Sequence, residues 1–385
     1  MKDQLTVYHI STYSPTPCGI ATYTEDLITA LSGVRSLKVR MQNTWDSFIP
    51  DFDITVHKEE EASYLEAIER INADPTAVVS LQHEFGIFGG WWGSHAHLFL
   101  DHLRVPIVMT LHTVFPELYE PLHEQLEHLI RKSTAVVVLA DETADYLLSQ
   151  FPVAQGKVHI IRHGVPDIPF AYPSPLRAAK GIGGDPVFLS MGHLRRSKGY
   201  HDALNALARV KQQIPGFKYI ILGTCQEQNW DKEGVKEDMD ALIRSLGLEE
   251  NVIHEDRYLP VAEVIDYIRM ADIGLVTYTD PGQNSSGVLP LMLSCGRPVV
   301  ATDFRYAADL KKKAGDCLEL VRTGDVDSIA AGIAKLTAPG YDLKAAMRLA
   351  FERMRPFLWS NAGALYEGLF RETQHAWRKE REPAD

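Results

Sequence analysis

The segment over residues 271–303 constrains the fold of this chain more than any other part of its sequence. It predicts a short apolar strand over 273–277, a turn at the Asp-Pro-Gly triplet 280–282, a helix through 289–293 and a second strand over 299–301. A strand, a helix and a strand in this order form a parallel βαβ unit. The sequence therefore indicates an α/β fold built on parallel sheets.

The helix of this unit begins after Ser285 and Ser286, two residues that commonly cap helix N-termini. In a βαβ unit the helix N-terminus lies at the carboxyl edge of the sheet, and its unpaired N–H groups face outward there. An anionic or hydroxyl-rich ligand would bind at that point. The alternative is an ordinary crossover helix that binds nothing.

Length and charge limit the class of protein. The chain has 385 residues, 45% of them hydrophobic and 23% charged, with a formal net charge of −12. This length predicts two domains. Because nucleic-acid phosphates require a basic face, the acidic balance argues against nucleic acid as a partner.

The cysteines and the absence of apolar runs indicate a cytoplasmic location. Cys18, Cys225, Cys295 and Cys317 lack metal-type spacing and are expected to be free thiols in a reducing compartment. The N-terminus has no signal-peptide core, and no apolar run reaches the roughly 20 residues of a membrane span. Peripheral membrane contact stays open as an alternative.

In the first half, a strand over 5–10 is followed by a loop and then by a helix that Gly19 opens. A glycine at this position lets a ligand approach the backbone closely, or it simply starts the helix. The loop lacks the spacing G-x-G-x-x-G, so the dinucleotide fingerprint is absent.

Two further strands end in polar residues. The strand over 77–81 leads to His83, Glu84 and Phe85 in a glycine- and aromatic-rich loop, which suits a sugar-binding rim. The strand over 105–111 ends at His112. Strand ends of a parallel sheet meet at one edge, where ligands bind. The alternatives are a tight turn with packed aromatic rings at 85 and a structural histidine at 112.

The βα alternation lapses after residue 167 in a Pro- and Gly-rich stretch and restarts at a strand over 187–191. We expect an N-terminal domain over 1–168, a linker over 169–186, a second domain over 187–345 and C-terminal helices over 346–385 that pack back on the first domain.

The loop after strand 187–191 carries His193, Arg195, Arg196 and Lys198 immediately before a helix. Cations at this position are suited to clamping phosphate groups. A solvated basic loop is the alternative.

The strand-end His112, the loop from Gly192 to Lys198-Gly199 and the segment SGVLPLMLSCGRPVVATD over 286–303 resemble the retaining glycosyltransferases of family 4 (group 1 glycosyltransferases). The resemblance covers nearly the whole chain. It implies the GT-B fold, in which two Rossmann-like α/β domains face each other across a cleft and a C-terminal helix crosses back to the first domain.

The resemblance also implies roles for residues. His112 would lie beside the donor sugar, Lys198 would bind the donor diphosphate, and Gln283 would lie by the donor sugar. The implied catalytic residues are His112, Lys198 and Gln283. The donor-binding residues are Gly19, His193, Arg195, Arg196, Lys198, Arg257, Ser285, Ser286 and Gly287. From their position at a strand end, and not from the resemblance, we expect His83, Glu84 and Phe85 to be the acceptor-binding residues.

The chain departs from the family pattern at three positions. His193 stands where the family loop usually has arginine, and Arg195 or Arg196 would supply the missing charge. Gln283 and Leu291 stand where the family has the two glutamates of a Glu-x7-Glu motif. Because Leu291 cannot accept a hydrogen bond, recognition of the donor ribose is altered.

The leading hypothesis is a hexosyltransferase that uses an activated donor, a nucleotide sugar, and a saccharide or other hydroxyl acceptor, with retention at the anomeric carbon. No cofactor and no obligatory metal are expected. One alternative is a glycoside phosphorylase that uses phosphate and a sugar 1-phosphate. The other is a non-catalytic GT-B-like protein that binds saccharide or a partner enzyme.

Overall fold

The computed structural model describes residues 4–16, 18–43, 52–115, 120–173, 177–178, 180–225 and 234–381. The chain divides into two compact units. The first unit comprises Met1–Gly164 and Phe357–Asp385, and the second comprises Val165–Pro356.

The first unit is built on a seven-stranded parallel sheet with the order β3-β2-β1-β4-β5-β6-β7. Its strands are β1 (Thr6–Ser11), β2 (Arg35–Gln42), β3 (Ile54–His57), β4 (Ala77–His83), β5 (Ile107–Leu111), β6 (Ala135–Val138) and β7 (Val158–Ile160). The helices that alternate with them are α1 (Gly19–Ala30), α2 (Glu61–Asn72), α3 (Ala96–His102), α4 (Glu120–Lys132) and α5 (Asp141–Gln150). The central strands β1, β4, β5 and β6 are buried along their full length, as expected for a sheet covered on both faces.

The second unit repeats this design with a six-stranded parallel sheet of order β10-β9-β8-β11-β12-β13. Its strands are β8 (Val187–Met191), β9 (Lys218–Leu222), β10 (Val252–Glu255), β11 (Ile273–Val276), β12 (Val299–Thr302) and β13 (Leu318–Val321). Its helices are α6 (Tyr200–Val210), α7 (Val235–Ser245), α8 (Val261–Met270), α9 (Val288–Ser294), α10 (Arg305–Ala314), α11 (Val326–Leu336) and α12 (Leu343–Met354).

Each sheet has a point where the strand order reverses. In the first unit β1 lies between β2 and β4, and in the second unit β8 lies between β9 and β11. The connections on either side of such a strand leave in opposite directions and open a crevice at its carboxyl end. These two positions are therefore where each unit can hold a ligand.

A last helix, α13 (Trp359–Lys379), packs on the first unit, as the resemblance implied. The Tyr366 hydroxyl lies 2.8 Å from the Tyr23 hydroxyl on α1 and 2.9 Å from Thr110 Oγ1 on β5. Gly363 packs directly against Ala30, at the end of α1. The helix is thus fixed by a buried hydroxyl chain and by a close backbone approach.

The division between the units differs from the expected boundaries. The second unit begins at Val165, and α12, which was expected on the first domain, belongs to the second unit. The reason is Arg297, which is fully buried and donates to Ala171 O at 2.6 Å and to Ile268 O at 3.1 Å. Its Nη1 also lies 3.6 Å from Met347 Sδ on α12. These contacts attach both the start of the predicted linker and α12 to the second sheet.

The cysteines and the apolar character of the helices bear on two expectations from the sequence. All four cysteines are free thiols, as predicted. Within the described part of the chain, no helix combines the length and the apolar character that crossing a bilayer requires.

Two glycines of α13 provide a matched test of its docking. A Cβ at Gly363 would lie 2.7 Å from Ala30 O and 2.8 Å from Ala30 Cβ, whereas a Cβ at Gly368 would meet no heavy atom of the described structure within 4 Å. Gly368→Ala should therefore stabilise the protein by about 0.5–1 kcal/mol, since alanine is the better helix former. Gly363→Ala should destabilise it by about 1–3 kcal/mol through overpacking.

Urea unfolding of the full chain and the two variants measures both effects. The two changes in the free energy of unfolding need not be equal in size, but they must have opposite signs. If Gly363→Ala were as stable as Gly368→Ala, close packing of α13 on α1 would be contradicted.

Candidate functional site

In the first unit, β4 and β5 bring two groups of polar residues to one edge of the sheet. The strands pair in parallel with His83 opposite Leu111. His83-Glu84 at the end of β4 therefore lies beside His112-Thr113 at the end of β5. The Thr113 hydroxyl donates to Glu84 Oε2, and the Phe85 N–H donates to Glu84 Oε1 at 3.1 Å. Burial raises the pKa of Glu84, and these two hydrogen bonds oppose the rise. The Glu84 carboxyl group therefore links the two strand ends.

His83 lies in the core of the first unit rather than on a binding rim. The strand β4 continues two residues further than predicted, and His83 is fully buried at its end. Its ring packs near Phe85 and Phe88, and neither ring nitrogen has a hydrogen-bond partner within the described residues. Burial lowers the pKa of His83 to about 3, with a smaller contribution from His97. We therefore remove His83 from the acceptor-binding set.

Phe85, also assigned to the acceptor side, is 5% exposed. It forms an aromatic group with Trp92 and Phe115, with ring centroids 5.9 Å and 5.3 Å away. Phe85 thus supports the loop that follows β4, and it offers little surface of its own to a ligand.

His112 is held as a neutral imidazole. The Gln82 amide nitrogen donates to Ser80 Oγ at 3.2 Å, which leaves Gln82 Oε1 to accept from His112 Nε2 at 2.9 Å. Burial, aided by the nearby rings of His163 and His83, lowers the pKa of His112 to about 3. A ring with this pKa is a weak base, so its geometry suits positioning better than proton abstraction.

A ring cluster around Tyr23 surrounds His112, and no sequence motif indicates it. The Tyr23 ring makes edge contacts with His112 at 4.9 Å, His163 at 5.0 Å and Trp359 at 5.0 Å. Asp26, one turn along α1, bonds to the Trp359 side chain, and burial raises its pKa to about 6. Because these residues come from α1, α13 and the end of β7, no local spacing in the sequence could reveal the cluster.

Gly19 begins α1 as predicted, at the carboxyl end of β1. The preceding residue, Cys18, makes no side-chain capping bond to the helix. A Cβ at Gly19 would meet no heavy atom of the described residues within 4 Å. The first turn of α1 is therefore open to a ligand, although packing alone does not demand a glycine there.

In the second unit, the loop between β8 and α6 is clamped against the segment that follows β11. Gly199 has φ +68°, and a Cβ there would lie 1.7 Å from Thr277 O. The Thr277 hydroxyl donates to Gly199 O at 2.8 Å, and the Thr279 N–H donates to Ser197 O at 3.0 Å. Only glycine combines this left-handed conformation with so close an approach. The loop is thereby fixed at the point where the second sheet reverses its strand order.

The clamped loop gathers three of the predicted donor-binding side chains. The pKa of His193 is lowered by burial and by the positive charges of Lys198 and Arg195, which places both cations near its ring. Lys198 Nζ lies 3.8 Å from the centre of the Tyr278 ring. A neutral histidine and two cations at a helix start are suited to binding a diphosphate.

Two other arginines assigned to the donor side are directed elsewhere. Arg196 Nη2 lies 2.6 Å from Asp238 Oδ2 on α7. Arg257 pairs with Glu255 at 3.1 Å and with Glu263 at 2.8 Å. Because nearby carboxylates offset both charges, we remove Arg196 and Arg257 from the donor-binding set.

The loop before α9 is folded on itself. Gln283 Nε2 donates to Ser285 O at 2.9 Å, and Leu289 N donates to Ser286 Oγ at 3.3 Å. The N-cap residue is Gly287 rather than either serine. Gly287 is exposed. The helix α9 has only seven residues and includes Pro290.

The segment that carries the strongest family resemblance has a structural role. Gly296 has φ +73°, and a Cβ there would lie 2.8 Å from Phe170 Cε2 and 3.0 Å from Met347 O. Its neighbour Arg297 is the fully buried residue that holds α12 on the second unit. Cys-Gly-Arg-Pro thus identifies the fold while its side chains lie in the core.

Asp-x-Asp triplets, which can hold divalent metals, occur at residues 51–53, 238–240 and 325–327. Residue 51 lies outside the described residues. Asp238 pairs with Arg196, and Asp325 caps α11 and pairs with Arg322. Within the described ranges, no group of three or more His, Cys, Asp or Glu side chains comes together as a metal site.

Two family profiles match this chain. The profile described as glycosyl transferases group 1 matches residues 175–349, and the profile described as Glycosyltransferase Family 4 matches residues 62–167. The two matches together span more than half of the sequence and include the clamped loop of the second unit. The chain belongs to the group 1 glycosyltransferases.

Curated relatives with assigned activities are distant. The chain is 27% identical over 224 residues to the D-inositol 3-phosphate glycosyltransferase of Segniliparus rotundus, covering 54% of this chain and 48% of that protein. It is 23% identical over 244 residues to the 2-deoxystreptamine glucosyltransferase of Streptomyces kanamyceticus, covering 57% of this chain and 60% of that protein. The chain thus spans about half the length of the curated relatives it matches.

Solved structures resemble nearly the whole chain. Sucrose-phosphate synthase from Thermosynechococcus elongatus matches with a TM-score of 0.75 and 16% identity, covering 97% of this chain and 100% of that one. Anabaena HepE in complex with UDP matches with a TM-score of 0.74 and 16% identity, covering 96% of this chain and 100% of that one. At this identity the likeness shows the fold alone, which is the predicted GT-B fold.

The buried histidines predict how stability depends on pH. His9, His83 and His112 have pKa values of about 3 because of burial, against about 6.5 in an unfolded chain. Below about pH 6.5 the unfolded chain binds more protons, so stability is complete above that pH and falls as the pH drops. Each histidine should cost about 2 kcal/mol at about pH 5.

His83→Leu should remove one of these three contributions. We expect little change or a small gain in stability at about pH 7.5, because two buried nitrogens without partners are removed, and a gain of about 2 kcal/mol at about pH 5. Urea unfolding at both pH values measures it, with exposed His375→Leu as the control. An identical loss on acidification in His83→Leu and the unsubstituted protein would contradict a buried, neutral His83.

Proposed function

We propose that this protein is a glycosyltransferase that moves a hexose from a nucleotide-sugar donor to a saccharide or other hydroxyl acceptor, with retention at the anomeric carbon. The observation that carries the proposal is the cation cluster of Arg195 and Lys198, beside the neutral His193, on the clamped loop of the second unit. Family membership supports it, as do solved structures of the same fold described with UDP and with UDP-glucose.

The cluster supplies what departure of a diphosphate requires. Breaking the bond between the anomeric carbon and the donor phosphate leaves negative charge on the phosphate oxygens. Lys198 and Arg195 offset that charge, and because Gly199 fixes their loop, little reorganisation accompanies the reaction. Arg195 takes the place of the arginine that His193 replaces in the family pattern.

His112 acts by position in this proposal. Its Nε2 proton is committed to Gln82, and its pKa of about 3 keeps the ring neutral at physiological pH. The departing phosphate oxygen accepts the proton of the acceptor hydroxyl on the same face of the sugar, so a strong protein base is unnecessary. A neutral ring can hold a sugar hydroxyl without adding charge beside the developing cation.

Gln283 and Leu291 alter recognition of the donor. Gln283 still offers amide hydrogen bonds to sugar hydroxyls, but it carries no charge to stabilise an oxocarbenium ion. Leu291 gives the ribose no acceptor. We infer that binding of the nucleotide depends more on its diphosphate here, and so on the cation cluster, than in relatives that retain both glutamates.

Calorimetric titration of the protein with UDP, GDP, ADP and inorganic phosphate tests the proposal. Micromolar binding of one nucleotide is expected. Binding of phosphate or of sugar phosphates without any nucleotide would instead indicate a glycoside phosphorylase. No binding of any of these compounds would contradict the transferase and leave a non-catalytic saccharide- or partner-binding protein.

Two neighbouring residues of the loop separate the cation cluster from general surface charge. Lys198→Ala should weaken nucleotide-sugar binding by about 1.5–3 kcal/mol, roughly 10- to 150-fold in affinity, since it removes a charge-assisted contact. Arg196→Ala removes the same formal charge two residues away, where the Arg196 guanidinium is already paired with Asp238. It should change affinity by less than about threefold.

Titration of both variants with the nucleotide sugar of the preferred base measures the difference. Equal losses in the two variants would show that the loop acts only through its net charge. An unchanged affinity in Lys198→Ala would remove this residue from the phosphate site.

A further inference from the structure

Two adjacent tryptophans stand out on the surface of the first unit. Trp91 is 53% exposed and Trp92 is 44% exposed, with ring centroids 6.4 Å apart and ring planes at 69°. They lie in the loop that follows β4, a few residues after Glu84 at the carboxyl edge of the sheet. Exposing two such large side chains side by side is costly in water and commonly marks a binding surface.

The loop is built to hold this pair rather than to let it move. Trp92 has φ +47° and ψ +39°, and it is the one non-glycine residue among those described with a positive φ. Its carbonyl oxygen accepts from Gln125 Nε2 at 2.9 Å. A Cβ at the next residue, Gly93, would lie 2.5 Å from Phe85 O. A left-handed tryptophan is strained, and the surrounding contacts hold it in place.

The charges beside the pair identify the class of ligand. Glu59 Oε2 accepts from the Gly90 N–H at 3.2 Å, and Glu59, Glu60 and Glu61 are all exposed. The Lys58 ammonium group donates to Gly86 O at 3.3 Å. Glu59 is thus the carboxylate directly beside the pair, and the Lys58 ammonium group is bound to the Gly86 carbonyl. A carboxylate at this position disfavours anionic lipid headgroups and anionic saccharides. Aromatic rings next to carboxylates match a neutral sugar, whose C–H faces stack on rings and whose hydroxyls donate hydrogen bonds.

We propose that Trp91 and Trp92, flanked by Glu59, bind an uncharged saccharide, and that this saccharide is the acceptor. The second part rests on the proposed transferase function. The tryptophan pair takes the place of His83 and Phe85 as the ligand-contacting surface of the loop, because both of those side chains are buried.

Two substitutions test the pair while preserving the loop. Trp91→Ala removes one exposed ring. Trp92→Gly removes the other and also places at φ +47° the residue that best tolerates it, so folding should be kept or improved. The matched control is Leu65→Ala on α2, which removes another exposed apolar side chain, 45% exposed, from the same unit.

The probes are neutral oligosaccharides of glucose, galactose and mannose, and vesicles of phosphatidylcholine with phosphatidylglycerol, followed by tryptophan fluorescence and calorimetry. We expect at least one neutral oligosaccharide to bind, with an affinity about tenfold lower in each tryptophan variant and unchanged in Leu65→Ala. The acceptor KM should rise in the tryptophan variants while nucleotide affinity stays constant.

Three results would overturn the inference: no neutral oligosaccharide binds, binding is unchanged in both tryptophan variants, or the tryptophans are needed for vesicle binding instead. The nucleotide titration separates this inference from the proposed function. Nucleotide binding without tryptophan-dependent saccharide binding would contradict only the saccharide site at Trp91 and Trp92. Tryptophan-dependent saccharide binding without nucleotide binding would contradict the proposed transferase function and support the saccharide site at Trp91 and Trp92.

Discussion

The candidate chemistry of this protein depends on the close approach of Gly199 to Thr277. No side chain fits between them, and the Thr277 hydroxyl closes the contact by donating to Gly199 O. This contact fixes the loop between β8 and α6 where the second sheet reverses its strand order. His193, Arg195 and Lys198 all lie on the loop that this contact fixes.

Much of the fold could be predicted from the sequence because buried parallel strands are continuous apolar runs. The strand over 187–191 has the predicted bounds, and α1 begins at Gly19 as predicted. The strands β2 and β3 were not predicted. The edge strand β3 has only four residues, and β2, which lies between β3 and β1, carries the charged residues Arg35, Lys38 and Arg40. The boundary between the two units was also not predicted correctly, because it depends on the buried contacts of Arg297, which join segments far apart in sequence.

Only those candidate site residues that lie together on one loop could be proposed from the sequence. Lys198 and Arg195 could be proposed because they follow a strand directly, whereas the direction of Arg196 depends on Asp238, a partner on another helix. His83 was predicted to lie on a binding rim, but β4 continues into the core. No local sequence pattern indicates that a neutral imidazole is buried. Tyr23, His163 and Trp359 surround His112 through contacts between distant elements. The motif that reveals the family, Cys-Gly-Arg-Pro, is itself buried in the second unit.

The most direct test of the central claim is a crystal structure of the full chain with the nucleotide diphosphate that titration selects. We expect diphosphate oxygens within about 3 Å of Lys198 Nζ and of the Arg195 guanidinium, with the Gly199–Thr277 contact unchanged. We also expect the Lys198 ammonium group, now 3.8 Å from the Tyr278 ring centre, to turn toward the phosphates. A diphosphate bound elsewhere, with Lys198 still over Tyr278, would show that this loop is not the phosphate site.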